Sequence, residues 1–302
     1  MLTCRRLLRS LQEQVLSLLM STQVVQSILI LLVAVGCTTT RQPDTPGLPG
    51  PVVPQPSGPM SDNSGWSFAY RSDTIRIRVN RSAAIESTSD SGSHREISTN
   101  NTIETLALAV NADTIRYTAT VDSFSTASQG LIGTVQAVNL PIQISGVIDS
   151  LLTADSSAQS CDPVQANLEG DVRNVLVSFP RRLATGQSWR DSAAHTACYG
   201  RIPMVTMTVR IFSVIGQTSF NGQSAVAIQR IDSIRARGEG RQQQHLLGVE
   251  VRGTGGATYT LSTELGRLLH LTVSQELGLS VRAAGRTKLF HESVKEEFNP
   301  SP

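Results

Sequence analysis

The chain has 302 residues, of which 39% are hydrophobic and 17% charged, and its formal net charge is +2 at pH 7. This apolar content supports a folded core and excludes a chain that is disordered throughout. Residues 1–36 hold three arginines and one glutamate, so the rest of the chain has equal numbers of basic and acidic residues. A neutral chain lacks the clustered positive charge on which nucleic-acid binding depends, and we expect no nucleic-acid partner.

The N-terminal segment has the pattern of an export signal. Three arginines among the first nine residues precede an uninterrupted apolar run at 28–35, and Gly36 and Cys37 follow directly. A basic start, a short apolar region and a small residue before the cut are typical of such signals. The run is too short to cross a bilayer, since a spanning helix needs about 20 apolar residues.

The four residues Ala34-Val35-Gly36-Cys37 resemble the lipobox of bacterial lipoprotein signal peptides. The resemblance implies cleavage between Gly36 and Cys37, a palmitate-type lipid anchor on the Cys37 sulfur, and removal of residues 1–36. Thr38 stands where an aspartate would mark retention in the inner membrane, so the same resemblance implies the outer membrane. An ordinary cleaved signal or an uncleaved anchor is the alternative, and translation starts at either Met1 or Met20.

A tether follows the proposed anchor. Residues 41–59 contain seven prolines and three glycines, a composition that forms neither a helix nor a paired strand. We therefore expect residues 37–65 to be a lipidated cysteine followed by a disordered spacer with a reach of about 60 Å. The folded body is expected to span residues 66–298.

The body has a hydrophobic period of two. Apolar and polar residues alternate in 74–79, 114–121 and 205–211, and each segment predicts a half-buried strand. Further strands are predicted at 103–110, 142–148, 172–179, 224–235, 246–252, 257–262, 267–275 and 277–283. The sequence predicts no long, capped helix after residue 60.

This pattern predicts an all-β, antiparallel body, either a strongly curved open sheet or half-barrel, a barrel, or a sandwich. Two similar halves, 66–160 and 161–298, are a further possibility. Glu264 to Gly266 is predicted as a hairpin turn. Val177 to Pro180 is predicted to end a strand and to precede a turn that folds Trp189 onto the core, a pattern that resembles exported β-rich bacterial proteins.

Cys161 and Cys198 form an even pair in a chain that carries an export signal. In an oxidising compartment such a pair usually forms a disulfide, which would stabilise the fold by about 4 kcal/mol in the chain-entropy model. A metal site that includes His195, or two free thiols, is the alternative.

No catalytic motif is visible in the sequence. The other histidines (His94, His245, His270 and His291) show no zinc-hydrolase spacing, and Ser188 and Ser224 lack the second glycine of a nucleophile elbow. The glycines of 253–256 are predicted to mark a bulge or turn, and Arg235, Arg237 and Arg241 a flexible basic loop. Residues 290–302 are predicted to be a polar tail. We expect no catalytic residue, metal or cofactor.

These observations indicate a cell-envelope lipoprotein that meets the membrane through the lipid on Cys37. The expected role is a non-catalytic binding module for an apolar or lipid-like ligand, because the predicted curved sheet resembles the architecture of lipoprotein carriers in the envelope. The alternative is a structural or interaction protein that docks onto another envelope component. An enzyme is the least favoured class.

Overall fold

The computed structural model describes residues 65–89, 92–111, 114–128, 142–148, 161–199, 202–242 and 245–301. The predicted signal peptide, Cys37 and the proline-rich tether lie outside the described residues. No helix among the described residues is long and apolar enough to span a bilayer.

The described chain is built mainly of long strands, with one helix. In chain order its elements are β1 (Trp66–Ser67), β2 (Asp73–Ser89), β3 (Gly92–Asn111), β4 (Thr114–Ser128), β5 (Ile142–Val147), α1 (Pro163–Val175), β6 (Arg182–Leu183), β7 (Ser188–Tyr199), β8 (Ile202–Phe220), β9 (Gln223–Gln242), β10 (His245–Ser262), β11 (Arg267–Ala283) and β12 (Arg286–Pro300).

Ten of these strands form one antiparallel sheet that curls through 238° into a half-barrel. The strand order is β5-β4-β3-β2-β12-β11-β10-β9-β8-β7, and β1 and β6 pair separately. Pairing of β2 with β12 brings strands from the beginning and the end of the body into the same sheet. The predicted antiparallel β body is confirmed, and of the forms that the sequence left open it is the strongly curved half-barrel.

Tight turns set the register of several strand pairs. Asn221 and Gly222 both have positive φ angles, 50° and 79°, between β8 and β9. Two consecutive positive φ values make the turn whose twist matches that of the flanking strands. The predicted turn at Glu264 to Gly266 is confirmed, since it joins β10 to β11 and Gly266 has a φ of 63°.

Helix α1 lies against the concave side of the sheet and corrects the prediction of strand 172–179. Asp162 caps its N-terminus, because the carboxylate accepts hydrogen bonds from the backbone N–H groups of Val164 and Gln165. Leu168 and Val172 are buried and join the same apolar core as residues of the sheet. An amphipathic helix thus fills part of the half-barrel.

The segment after α1 carries aromatic residues into the core. Phe179 lies edge-to-face against Tyr259, with ring centroids 5.5 Å apart. Trp189 stacks on Phe212 at 5.0 Å, which confirms that this tryptophan folds onto the core. Val177 to Pro180 follow a helix, so the prediction that they end a strand is wrong.

Three segments predicted as turn, loop or tail are strands. The glycines of 253–256 lie within β10, the arginine-flanked glycines of 238–240 lie within β9, and residues 290–300 lie within β12. A Cβ on Gly253 would lie 2.2 Å from the carbonyl oxygen of Glu276, and one on Gly238 would lie 2.2 Å from that of Pro203. These glycines therefore allow adjacent strands to approach closely rather than to turn.

Candidate functional site

The cross-strand register arranges the inward-facing side chains of β7 to β12 in rows across the strands. One row runs through Ala193, Thr208, Ile234, Gly253, Leu277 and Glu292, and the next through His195, Thr206, Ala236, Val251, Leu279 and Phe290. Strand residues two apart share a face, and these rows share theirs with Arg210 and Arg230, which contact α1. The rows therefore belong to the concave side, where the helix lies. Six buried residues of β8 to β11 form a second apolar cluster, separate from the core that contains the helix: Met204, Ala236, Val249, Val251, Leu279 and Val281.

A cavity of about 280 Å³ lies between this second cluster and the C-terminal half of α1. We call it the upper cavity. Its apolar wall consists of Ala193, Met204, Ile234, Ala236, Val251, Leu277 and Leu279, and Gly170, Arg173 and Asn174 of the helix border it. Pockets for small molecules are concave and mostly apolar, with a few polar groups, and the upper cavity has this composition.

The floor of the upper cavity consists of paired charges on β7, β8 and β9. Arg210 donates to both carboxylate oxygens of Asp191 at 2.7 Å. Arg230 donates to Asp232 at 2.8 and 3.0 Å and to the hydroxyl of Tyr259. An arginine that donates two hydrogen bonds to one carboxylate compensates for part of the cost of burying the charges.

A second set of paired charges holds α1 against the sheet. Arg81 of β2 donates to Asp171 of the helix at 2.6 Å and to Glu296 of β12 at 2.6 Å. Asn174 donates to the other carboxylate oxygen of Glu296 at 3.1 Å. The helix is therefore fixed by polar contacts as well as by its apolar face.

Two buried carboxyl groups in or beside this set, those of Asp171 and Glu104, have a pKa above its usual value. Burial, together with the neighbouring Asp171, raises the pKa of Glu104 well above its usual value. Burial also raises the pKa of Asp171 to about 6, although Arg81 opposes the shift. Both side chains are almost completely buried.

Glu292 differs from the other carboxyl groups of the concave face. It projects into the upper cavity from β12, between Leu277 of β11 and Ile85 of β2. Among the described residues, none forms a hydrogen bond or an ion pair with it. Burial alone raises its pKa to about 7. It is an isolated acid in an apolar wall.

His195 is the remaining titratable group of the cavity wall. Burial, with the nearby guanidinium groups of Arg173 and Arg210, lowers the pKa of His195 to about 3. The imidazole is therefore neutral at physiological pH.

The structure confirms the predicted disulfide. The histidines that the sequence analysis considered lie apart from one another. Cys161 and Cys198 are bonded, which ties the residue before the helix cap to the edge strand β7. His195 lies in the cavity wall, and the described residues contain no group of three or more His, Cys, Asp or Glu side chains that could hold a metal. His270 contacts Asn299 and His291 contacts Glu276, far apart on the sheet.

The sequence analysis did not find the upper cavity or Glu292. The cavity is formed by rows of residues from six strands, and no local motif marks it. Glu292 stood in a segment that was predicted to be a tail, so its placement on a concave face could not be inferred.

No family model and no curated protein matches the chain. Among solved structures, OccK2 (OpdF) of Pseudomonas aeruginosa is similar with 8% identity over 76% of this chain and 97% of that chain, at a TM-score of 0.21. A domain assigned as an outer membrane lipoprotein-sorting protein from Vibrio parahaemolyticus is similar with 11% identity over 75% of this chain and 83% of that chain, at a TM-score of 0.16. Likenesses at such TM-scores carry no argument for fold or function.

Proposed function

We propose that this protein is a lipid-anchored lipoprotein of the bacterial envelope, at the outer membrane, that binds an apolar or lipid-like ligand without catalysis. The observation that carries the proposal is the upper cavity. A half-barrel with a water-accessible apolar interior provides the environment that a hydrocarbon chain gains by leaving water. The anchor at Cys37 would keep such a binding module at the membrane that supplies its ligand.

The size of the upper cavity favours a single hydrocarbon chain. Its volume of about 280 Å³ is near the lower end of the range for small-molecule pockets, roughly 300–1,000 Å³. Each methylene group that leaves water for such a site contributes about 0.8 kcal/mol. A single chain therefore binds usefully, whereas a ligand with several chains would exceed the volume.

The proposal is tested on the mature chain without its lipid, residues 38–302, exported behind an ordinary cleavable signal. Every contact described above lies within residues 65–301, so this chain retains them. Native mass spectrometry would show a bound mass that leaves on denaturation. The neutral fluorescent probe N-phenyl-1-naphthylamine, which brightens in apolar surroundings, would report its affinity.

A matched pair of variants locates the binding site. Ala236 faces the upper cavity, whereas its neighbour Arg237 is exposed on the opposite face of β9. We expect Ala236→Phe to fill the cavity and weaken probe binding by about tenfold or more, and Arg237→Phe to change it by less than about twofold. Equal affinity in wild type and a folded Ala236→Phe variant, checked by circular dichroism, would exclude the upper cavity as the site.

An exposed apolar stripe on the outer face of β8 favours a second candidate, docking onto an acidic protein of the envelope. Val205 and Met207 are 57% and 61% exposed. They lie directly opposite Arg237 and Arg235 of β9, so an acidic partner would complement the stripe. A photo-crosslinking amino acid in place of Met207 would test this candidate, because its adduct should disappear when both arginines are replaced by glutamate.

A further inference from the structure

We infer that the ligand of the upper cavity is a single-chain amphiphile with a primary ammonium group, and that Glu292 binds this group. The inference rests on the proposed function and adds the chemical class of the ligand. Glu292 is aimed into the cavity, and the residues on either side of it in the row, Leu277 and Ile85, are apolar. A partly buried carboxylate in an apolar wall loses hydration without gaining a partner, so a ligand cation that enters the cavity would satisfy it.

The other charges in the cavity are already paired with each other. Arg210 is bonded to Asp191, and Arg230 is bonded to Asp232. Arg173 of the helix lies 3.8 Å from Glu169. An anionic ligand would have to compete with these protein carboxylates, whereas a cationic ligand finds Glu292 free. The guanidinium groups of Arg173 and Arg210 act on His195, whereas burial alone acts on Glu292, so a cation is favoured at the Glu292 end of the cavity.

Arg173 is the group that could reverse this preference. Its side-chain Nε is buried and has no hydrogen-bond partner among the described residues. A fatty acid that bound Arg173 would show that the cavity selects anions. The test therefore includes an anionic amphiphile of the same chain length.

The ionisation of Glu292 gives the inference a pH dependence. Burial raises the pKa of Glu292 to about 7, so the free cavity presents a neutral acid below that pH and a carboxylate above it. An alkylammonium group stays charged over this whole range. Its affinity should therefore rise by about tenfold or more between about pH 5 and pH 8, because at low pH binding must first remove a proton from Glu292.

Other ionisable groups lie on the same concave side as Glu292. Within the cavity lining they are Arg173 of α1, His195 of β7, Arg210 of β8, and Arg230 and Asp232 of β9. Beyond the lining they are Arg81 of β2, Glu96 and Glu104 of β3, Asp171 of α1, and Lys288 and Glu296 of β12, and Glu96 lies opposite Ile85 in the row of Glu292. The pKa of Asp171 is about 6, and that of Glu104 is also raised well above its usual value. A neutral alcohol of the same chain length controls for both groups, since their titration would alter alcohol binding as well.

The experiment compares dodecylamine, dodecanol and dodecanoate as competitors of N-phenyl-1-naphthylamine, each below its critical micelle concentration. At about pH 8 we expect dodecylamine to bind about tenfold tighter than dodecanol, and dodecanoate to bind most weakly. Glu292→Gln should remove the preference for the amine over dodecanol and the pH dependence of that preference. Glu297→Gln is the matched control, because Glu297 is exposed on the opposite face of the same strand.

The outcomes distinguish this inference from the function on which it rests. If all three amphiphiles displace the probe equally, the cavity binds chains without reading the head group, and the inference fails while the proposed function stands. Preference for dodecanoate would assign the head group to Arg173 and also overturn the inference. If the probe does not bind the wild-type chain at all, the proposed function itself fails.

Discussion

Glu292 makes the ligand-free protein less stable as the pH rises. In the unfolded chain its carboxyl group loses its proton near its ordinary pKa of 4.5, whereas burial raises the folded-state pKa to about 7. The folded state therefore binds more protons between these two pH values, and raising the pH through this range favours unfolding. The contribution reaches at most about 3 kcal/mol at about pH 8 and vanishes below about pH 4.

The variant Glu292→Gln removes this titration while it preserves the shape of the side chain. We expect its free energy of unfolding in urea to equal that of the wild type near pH 4, and to exceed it by up to about 3 kcal/mol near pH 8. Glu297→Gln, on the exposed side of β12, should follow the wild type at both pH values. A variant that loses stability at pH 8 would show that Glu292 has an ionic partner in the folded protein.

The alternating pattern does not predict which face of the sheet every residue of the concave side occupies. Between Ile228 and Ile234 the apolar residues recur at every third position, which leaves the facing of Arg230 and Asp232 ambiguous in the sequence. The structure places both charged residues on the concave side, where each is 2% exposed. Buried arginine–carboxylate pairs depend on contacts between different strands and the helix. The hydrophobic pattern within one segment therefore cannot predict them.

At the level of the elements, the disulfide between Cys161 and Cys198 holds the start of α1 on the edge strand β7. Its two cysteines are 37 positions apart in the chain. Closing a loop of this length stabilises the fold by about 4 kcal/mol in the chain-entropy model, within a usual range of about 2–5 kcal/mol. We expect the double variant Cys161→Ser, Cys198→Ser to lose stability by that amount in urea.

Two comparisons isolate the effect of the cross-link. The wild-type protein in a reducing agent should match the double variant. Asp162→Ala should cost only about 1 kcal/mol, because it removes the helix cap and leaves the disulfide in place. A double variant that loses less than about 1 kcal/mol would show that the loop is already restrained in the unfolded chain.

Helix α1 is the element that the sequence analysis missed, although its signals are present. Asp162 and Pro163 are a cap and a first helical residue, and the apolar residues Val164, Leu168 and Val172 recur at every fourth position. The segment from Val172 onward also reads as an apolar strand. Short apolar runs fit both periods, so this run does not by itself distinguish a helix from a strand.

At the scale of the whole molecule, the alternating pattern predicts an antiparallel sheet. It does not predict how far that sheet curls. Strict alternation in β2, β4 and β8 reflects one buried and one exposed face, which any curved antiparallel sheet shares. In the curled sheet, Gly238 and Gly253 lie so close to the backbone of an adjacent strand that a Cβ would not fit. Those contacts join residues that are distant in the chain, so the sequence left half-barrel, barrel and sandwich open.

The proposed anchoring of the whole molecule through Cys37 predicts that loss of this cysteine changes where the protein is found. If the lipobox resemblance is correct, Cys37→Ala removes the acceptor of the lipid. We expect this variant to lose all labelling by radioactive palmitate and to leave the membrane fraction. The neutral charge of residues 37–302 supports this outcome, since the chain has no excess of basic residues to hold it on an anionic membrane once the lipid is lost.

Cys4 provides a matched control for this experiment, because it lies in the segment that the signal peptidase would remove. Cys4→Ala should be labelled and should fractionate as the wild type does. Palmitate labelling that persists in Cys37→Ala would place the lipid on another cysteine. Because Cys161 and Cys198 are bonded to each other, Cys4 would then be the remaining acceptor, and the double variant Cys4→Ala, Cys37→Ala would reveal it.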